Sequence, residues 1–379
     1  MTERHSPLHR LHADAGAAFT DFAGWQMPLR FGSELAEHHA VRTAAGVFDI
    51  SHMGEITIAG PDTAAFLDFA LSGTISAVEP MQAKYSLLLN ERGGVIDDVI
   101  VYRTNPGEYL LVANAGNRGP VFAELSRRSR GFDVEIADIS DRTALIAVQG
   151  PASLAVLQQT TGLRIMDDQQ RLDELKHYRA TGARFADGTV LVARTGYTGE
   201  DGFELYVDAP DAAPLWRALL EAGAPHGLIP AGLAARDTLR LEAGMPLYGH
   251  ELGPDILPAQ AGLGRVVSLA KGSDFVGRAA VESGPGEGAR VLVGLSSEGR
   301  RAGRAGYAVL DGAGQEAGTV TSGALSPTLG HPIAMAFVDP GAAEAGTELA
   351  IDVRGSRIPA TVVPLPFYKR TTPERKAQS

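Results

Sequence analysis

Two adjacent carboxylates, Asp97 and Asp98, interrupt a segment whose other residues favour a buried β-strand. Val, Ile and Tyr dominate residues 95–102, and residues 90–94 in front of them predict a turn. Successive side chains of a strand point to opposite faces, so at least one carboxylate must face apolar surroundings. Because burying a carboxylate costs several kcal/mol unless it is hydrogen-bonded or paired, this pattern predicts either chemistry or a specific structural bond.

A second candidate acid is Glu204, which follows a turn over residues 194–202 that contains three glycines. Glycines let a backbone approach a flat ligand closely. Glu204 stands between Phe203 and Leu205 in a predicted strand, and a buried glutamate can accept two N–H hydrogen bonds from an amino-substituted heterocycle. The segment therefore predicts a recognition site for such a ring.

Charged residues also occur among apolar ones in a predicted helix over residues 233–243. Arg236 and Arg240 lie one turn apart on the same face. By itself, this pattern is typical of a helix that is stabilised by salt bridges.

The composition predicts a folded, soluble protein of about two to three domains. The chain has 379 residues, of which 44% are hydrophobic and 21% charged, values that are ordinary for globular proteins. No apolar run approaches the roughly 18 residues of a membrane span, and the first residues lack a hydrophobic signal core. We therefore expect no membrane association and a cytoplasmic location.

Cysteine is absent from the chain, which excludes disulfides, thiolate metal ligands and cysteine nucleophiles. Any thiol chemistry must therefore use a thiol from a partner. The net charge of -11, from 45 acidic and 34 basic residues, argues against a nucleic-acid-binding protein, which needs a basic face.

The order of predicted elements indicates a mixed α and β protein without regular βαβ alternation. A strand, a Gly-Pro pair and a helix follow one another over residues 54–71 and again over residues 144–159. This recurrence predicts two related α+β lobes. Residues 212–222 predict another helix, residues 284–288 a linker, and the last ~90 residues an all-β domain of barrel or sandwich type.

Several apparent motifs do not support a function. Residues 312–318 are rich in glycine but lie between two predicted strands, which favours a hairpin turn over a dinucleotide site. The sequence has no Gly-Lys-Ser or Gly-Lys-Thr phosphate loop. His38, His39 and His52 lack a second ligand at zinc-like spacing, so we interpret them as helix surface or local packing and expect no metal site.

Basic residues are concentrated near the end of this acidic chain. Between residues 354 and 376 only Glu374 opposes six basic side chains: Arg354, Arg357, Lys369, Arg370, Arg375 and Lys376. Ordinary solvated surface is one interpretation, and it is favoured beyond residue 371. A site for a multiply anionic ligand is the other.

In their order along the chain, these segments resemble the T-protein family of the glycine cleavage system, whose members are aminomethyltransferases. The resemblance covers nearly the whole chain. It rests on Phe48-Asp49-Ile50-Ser51-His52-Met53, on Gly196-Tyr197-Thr198-Gly199-Glu200, on Ala235-Arg236-Asp237, and on residues 21–25, 27–29, 39–43, 93–98, 241–244, 247–249, 274–278 and 321–323.

The resemblance implies an α+β protein whose three domains form a cloverleaf-like ring around a central folate channel. Residues 1–50 and 140–255 would form a folate-binding α+β lobe. Residues 51–139, joined by residues 256–283, would form a second antiparallel α+β lobe that carries Asp98. Residues 284–379 would form a C-terminal β-barrel or jelly-roll-like domain.

The resemblance also implies substrates and a partner. The lipoylated H-protein, which we expect to be acidic, would deliver an aminomethyl group on a dihydrolipoyl sulfur. Tetrahydrofolate, which carries polyglutamate tails in cells, would accept the methylene group, and ammonia would leave. A chain without cysteine fits a reaction whose thiol belongs to the partner.

Site residues follow from the same resemblance. Asp98 matches the family's key aspartate, which holds the folate near its reacting nitrogens, whereas Asp97 is expected to be structural. Glu204 matches the residue that binds the amino edge of the pterin. The other expected folate contacts are Tyr85, Asn114, Tyr197, Arg236 and, from the C-terminal domain, Tyr368.

Two alternatives share the implied fold. One is a folate-binding accessory protein of iron–sulfur assembly, whose hallmark is a Lys-Gly-Cys-Tyr-Thr-Gly-Gln motif. Residues 194–200 depart from that motif and contain no cysteine, which favours the transferase. The other is a folate-dependent demethylase, which folate binding alone does not distinguish from the transferase.

Overall fold

The computed structural model describes residues 3–370, and Arg375 and Lys376 of the basic segment lie outside this range. The helices are α1 (His9–Asp14), α2 (Glu34–Thr43), α3 (Thr63–Ala70), α4 (Arg118–Arg128), α5 (Ser153–Gln159), α6 (Ala212–Gly223), α7 (Leu233–Glu242) and α8 (Arg278–Ser283). The strands are β1 (Arg4–His5), β2 (Ala18–Phe22), β3 (Trp25–Arg30), β4 (Ala45–Asp49), β5 (Gly54–Ala59), β6 (Gln82–Leu89), β7 (Val95–Asn105), β8 (Glu108–Ala113), β9 (Glu135–Asp138), β10 (Thr143–Gln149), β11 (Arg164–Ile165), β12 (Ala180–Phe185), β13 (Gly188–Ala193), β14 (Gly202–Asp208), β15 (Leu228–Pro230), β16 (Val291–Ser297), β17 (Ala308–Leu310), β18 (Glu316–Leu325), β19 (Pro332–Val338), β20 (Glu348–Val353) and β21 (Ser356–Val363). No helix within residues 3–370 is long and apolar enough to cross a membrane.

The first lobe is built on a seven-stranded sheet in the order β11-β12-β13-β14-β10-β4-β15. Strand β10, in the interior of this sheet, is buried along its whole length, as expected for a run of small and branched apolar residues. All pairs are antiparallel except β4 with β15. The apolar faces of α5 and α6 cover one side of this sheet, where Trp216 and Leu219 pack on the buried strands.

The second lobe is an antiparallel five-stranded sheet in the order β6-β7-β8-β5-β9. Helices α3 and α4 cover one face, where Phe66 and Leu125 pack with Val99 and Val101 of β7. Alternation along β7 places Asp97 on this covered face and Asp98 on the opposite face. Ala261, Val267 and Phe275 pack against the ends of β6 and β7, and this packing supports our proposal that residues 256–283 join the second lobe.

The two Gly-Pro turns expected from the sequence occupy equivalent places in the lobes. Gly60 joins β5 to α3 with φ 140°, and Gly150 joins β10 to α5 with φ 126°. A Cβ atom would lie 2.4 Å from Asp133 O in the first case and 2.6 Å from Ala44 O in the second. Only glycine fits both the conformation and the close approach, so the two turns share one physical basis.

The free faces of the two sheets pack against each other. A third apolar cluster joins Ala83 and Tyr102 of the second lobe to Phe48, Leu145 and other residues of the first lobe. Both sheets therefore contribute walls to the space between the lobes.

The C-terminal strands close into a barrel in the order β16-β19-β18-β17-β20-β21. Alternate residues such as Leu295, Val320 and Ile351 fill its interior. Leu241 of α7 packs on Met335 of the barrel, which fixes the barrel to the first lobe. The predicted fold class, two α+β lobes and a C-terminal β-barrel, is confirmed; the exact domain boundaries remain a proposal.

Candidate active site

A cavity of about 260 Å³ lies between the two lobes. Both sheets, α7 and the loop that follows α7 contribute to its walls. The lining residues are Phe22, Ile50, His52, Met53, Tyr85, Asp98, Ile100, Val112, Asn114, Leu145, Tyr178, Gly196, Tyr197, Glu204, Tyr206, Arg236, Met245, Pro246, Leu247, Tyr248 and Leu263.

Asp98 stands on the cavity wall with both carboxylate oxygens hydrogen-bonded. Tyr85 on the adjacent strand β6 donates its hydroxyl to Oδ2 at 3.0 Å, and Asn114 donates Nδ2 to Oδ1 at 2.8 Å. Burial raises the pKa of Asp98, and the two hydrogen bonds oppose that rise. Burial and the Asp98 charge also raise the pKa of Tyr85 well above its usual value, so Tyr85 stays a neutral donor.

Asp97 points away from the cavity and is fully buried. It accepts hydrogen bonds from Asn114 N at 2.9 Å, from Asn114 Nδ2 at 2.8 Å and from Asn117 Nδ2 at 2.6 Å. Burial, together with the charge of Asp98, raises the pKa of Asp97 to about 7. Asn114 therefore contacts both carboxylates at once.

Glu204 lies on β14, opposite Ala147 of β10 and Ala193 of β13. Its Oε2 accepts a hydrogen bond from Thr195 Oγ1 at 2.5 Å and a long one from Tyr102 at 3.5 Å. The hydrogen bonds that Glu204 accepts within residues 3–370 all reach Oε2, which leaves Oε1 free. Burial raises the pKa of Glu204.

Arg236 enters the same cavity from α7. Its guanidinium lies over the ring of Tyr197, 4.9 Å from the ring centroid. Its Nη1 is buried and has no hydrogen-bond partner within residues 3–370. Tyr197 itself is held by a hydrogen bond from its hydroxyl to Pro246 O at 2.5 Å. Arg236 thus offers an unused donor in the cavity that contains the unused acceptor of Glu204.

The structure brings six of the seven expected site residues to this cavity: Tyr85, Asp98, Asn114, Tyr197, Glu204 and Arg236. Tyr368 does not line it. The Tyr368 hydroxyl donates to Glu200 Oε1 at 2.7 Å, and its ring lies 4.1 Å from the guanidinium carbon of Arg42. Tyr368 therefore sits where the first lobe meets the barrel.

Sequence reasoning missed several lining residues. His52, interpreted above as local packing, lines the cavity although its side chain is almost fully buried, and it packs edge-on against Phe22 at 5.3 Å. Burial, and the charge of Arg236, lower the pKa of His52 to about 4, so its imidazole is neutral. Its membership of residues 48–53, which carry the resemblance, was the available signal. Tyr178 and Tyr206 had no such signal.

Within residues 3–370, no group of three or more His, Asp or Glu side chains is arranged to hold a metal ion. The charged cavity groups are two separated carboxylates and one guanidinium, which suit an uncharged or mixed-polarity organic ligand.

Known proteins share this architecture along nearly the whole chain. Residues 8–271 match the GCVT N-terminal domain, and residues 290–369 match the glycine cleavage T-protein C-terminal barrel domain. An aminomethyltransferase of Cutibacterium acnes is 58% identical over 374 residues, which cover 98% of this chain and 100% of the relative. An aminomethyltransferase of Saccharopolyspora erythraea is 54% identical over 97% of this chain and 98% of its own length.

A solved structure agrees with these matches. The glycine cleavage system aminomethyltransferase T from Bartonella henselae superposes with a TM-score of 0.88 and 38% sequence identity. The superposition covers 97% of this chain and 99% of that structure. Two domain matches, full-length relatives and a full-length superposition agree, and the chain therefore belongs to the glycine cleavage T-protein family.

Proposed function

We propose that this chain is the aminomethyltransferase of the glycine cleavage system. It transfers the methylene of an S-aminomethyl-dihydrolipoyl group to tetrahydrofolate. The bonds from this carbon to sulfur and to the amino nitrogen break, and bonds to N5 and N10 of the folate form. The two protons that leave N5 and N10 are taken up by the dihydrolipoyl sulfur and the departing ammonia.

One observation carries the proposal: a carboxylate suited to proton chemistry and a carboxylate–guanidinium pair suited to ring recognition line the same cavity. The free Oε1 of Glu204 is an acceptor on a buried side chain, and Nη1 of Arg236 is a buried donor without a partner within residues 3–370. Buried polar atoms are rarely left unpaired, so these two call for a ligand with matching polar edges. A pterin, with its amino group, ring N–H and carbonyl, has such edges.

Each group then has a role in the reaction. Glu204 accepts N–H bonds from the pterin, while Arg236 and Tyr197 hold the ring in place. Asp98, oriented by Tyr85 and Asn114, lies beside the reacting nitrogens and stabilises the positive charge that develops when N5 attacks the methylene carbon. The raised pKa of Asp98 also suits a group that accepts a proton during the reaction. The role of Tyr368 at the folate stays a prediction.

The thiol of the reaction comes from the partner, since the chain has no cysteine. We propose the lipoylated H-protein as that partner and polyglutamylated tetrahydrofolate as the cellular acceptor. Relatives that carry the name aminomethyltransferase along their full length support this assignment.

The test is an incubation of the protein with aminomethylated, lipoylated H-protein and tetrahydrofolate. Ammonia and methylene-tetrahydrofolate should appear in equal amounts. The matched control uses the same H-protein without its lipoyl group and should give neither product. If the complete mixture forms no methylene-tetrahydrofolate, while a small methylated substrate does yield a folate product, the chain is a demethylase instead.

A further inference from the structure

Asp97 is a buried carboxyl group that the roles above do not use. All three of its hydrogen-bond donors are neutral amide groups of Asn114 and Asn117. Asn117 is itself anchored by a second bond, from Nδ2 to Ile96 O at 3.2 Å.

One nitrogen atom joins Asp97 to Asp98. Asn114 Nδ2 lies 2.8 Å from Oδ1 of Asp97 and 2.8 Å from Oδ1 of Asp98, so its two hydrogens serve the two carboxylates. Asp97 also binds the backbone N–H of Asn114 at 2.9 Å. These two bonds fix the plane of the Asn114 amide, and that plane determines where Asp98 receives its donor.

The two carboxylates also lack a counter-ion. None of the ion pairs within residues 3–370 includes Asp97 or Asp98. The titratable groups that face them are the phenols of Tyr85, Tyr197 and Tyr248, and burial raises the pKa of all three. Because only neutral groups separate the acids, the charge of one makes ionisation of the other less favourable.

We propose that Asp97 is a positioning residue for Asp98, acting through the Asn114 amide that bridges them. Asp97 fixes the donor on Oδ1 of Asp98. This inference rests on the proposed function, because it assigns the role of Asp97 within the same site.

The test compares Asp97→Asn with Asp68→Asn. Asp68 is a matched control: it is a buried carboxylate of the same lobe that accepts two backbone N–H bonds, from Ile75 and Ser76, and does not line the cavity. For Asp97→Asn we expect kcat to fall about 10-fold, with KM for tetrahydrofolate within about twofold of wild type. We also expect the acid limb of the kcat profile to move, because the donor on Oδ1 of Asp98 is no longer held in place by Asp97. Asp68→Asn should lower the Tm and leave kcat per folded molecule and the pH profile unchanged.

Wild-type kcat and an unmoved acid limb in folded Asp97→Asn would overturn the proposal. If that variant does not fold, Asn117→Ala takes its place, since Asn117 binds Asp97 and does not line the cavity. A lower kcat at unchanged KM then supports the proposal, and an unchanged kcat overturns it.

A second measurement does not depend on catalysis. The carboxyl ¹³C resonance of Asp98 is titrated in the wild type and in the variant used, without substrate. A change in its titration midpoint supports the coupling even if the wild type transfers no aminomethyl group. An identical midpoint in both proteins overturns it.

Discussion

Helix α7 contributes buried charged side chains to two regions, and only one of the regions satisfies their hydrogen bonds within the protein. Towards the cavity it presents Arg236, whose Nη1 has no partner within residues 3–370. Towards the barrel it presents Glu242, whose two oxygens accept hydrogen bonds from Arg42, His38, Ser326 and Thr328. We call the second region the junction; its members are Arg42, Glu200, Glu242, Thr328 and Tyr368.

This difference indicates that the junction has a structural role and that the cavity binds a ligand. Arg42 donates to Glu200 at 3.0 Å, to Glu242 at 2.8 Å and to Thr198 O at 2.7 Å, so the junction satisfies its charges internally. Burial alone would raise the pKa of Glu242, but its bonds, that from His38 first, lower it to about 2. Charges so well paired hold the barrel on the first lobe, whereas the unpaired atoms of the cavity are available to a ligand.

The largest effect should come from breaking the junction. Arg42→Met leaves Glu200 and Glu242 buried without their cation, and we expect the free energy of unfolding to fall by ~3–5 kcal/mol in a urea titration. Folate affinity of the folded protein should stay at the wild-type value.

Arg171→Met is the matched control for Arg42→Met. Arg171 pairs with Asp173 at 3.1 Å, but both side chains are largely exposed, so Arg171→Met should leave the free energy of unfolding nearly unchanged. A drop in folate affinity of folded Arg42→Met would show that the junction and the cavity are not separate regions.

The next effect concerns the reacting end of the cavity. Asp98→Asn keeps the shape of the side chain and removes its charge, so we expect a folded protein whose turnover is lower by ~100-fold or more. Circular dichroism checks folding, and the ammonia assay measures turnover. Near-normal turnover of a folded variant would remove Asp98 from the mechanism.

At the end of the cavity that contains Glu204, substitution should change the affinity for tetrahydrofolate. Glu204→Gln replaces an acceptor with an amide that must turn a donor towards the pterin or towards Thr195, and we expect tetrahydrofolate binding to weaken by ~1–3 kcal/mol in calorimetric titration.

Glu200→Gln is the matched control for this change. Glu200 belongs to the same turn but binds Arg42 and Tyr368 in the junction, so its substitution should leave folate affinity unchanged. If Glu204→Gln binds folate as well as wild type, Thr195 alone satisfies Glu204. Glu204 would then be paired within the protein, as the carboxylates of the junction are.

The sequence predicted local features better than distant contacts. Alternation along residues 95–102 correctly placed Asp97 and Asp98 on opposite faces, because that pattern depends only on the period of a strand. Tyr102 was missed as a partner of Glu204, because it meets Glu204 only through the packing of β7 on the first sheet. No local pattern encodes such a contact.

Tyr368 is a second residue whose contacts the sequence did not predict. The resemblance located it in the sequence, but its position depends on how the residues after β21 return to the first lobe, where Tyr368 N donates to Glu242 O at 2.8 Å. His52 was identified only as part of a motif, and its cavity position follows from the turn between β4 and β5.

Substitutions in the basic segment, residues 354–370, should have the smallest effect. In the structure its basic residues fall into two groups. Arg354 lies in the turn before β21 and Arg357 near its start, whereas Lys369 and Arg370 come after its other end. The two ends of β21 are about 20 Å apart by the rise of a strand. Arg370 lies near His177 and Asp201, next to the turn that carries Tyr197. The segment is therefore not one continuous patch.

Arg354 and Arg357 are exposed and far along β21 from that turn, so we expect them to steer an acidic partner rather than hold a folate tail. Reversing both charges (Arg354→Glu with Arg357→Glu) should raise KM for H-protein about threefold with monoglutamyl folate, equivalent to ~0.6 kcal/mol. The difference from wild type should shrink as added salt screens exposed charges, over about 10 Å at 0.1 M. A penalty seen only with polyglutamylated folate would assign the pair to the tail instead, and no change in either KM would make it ordinary solvated surface.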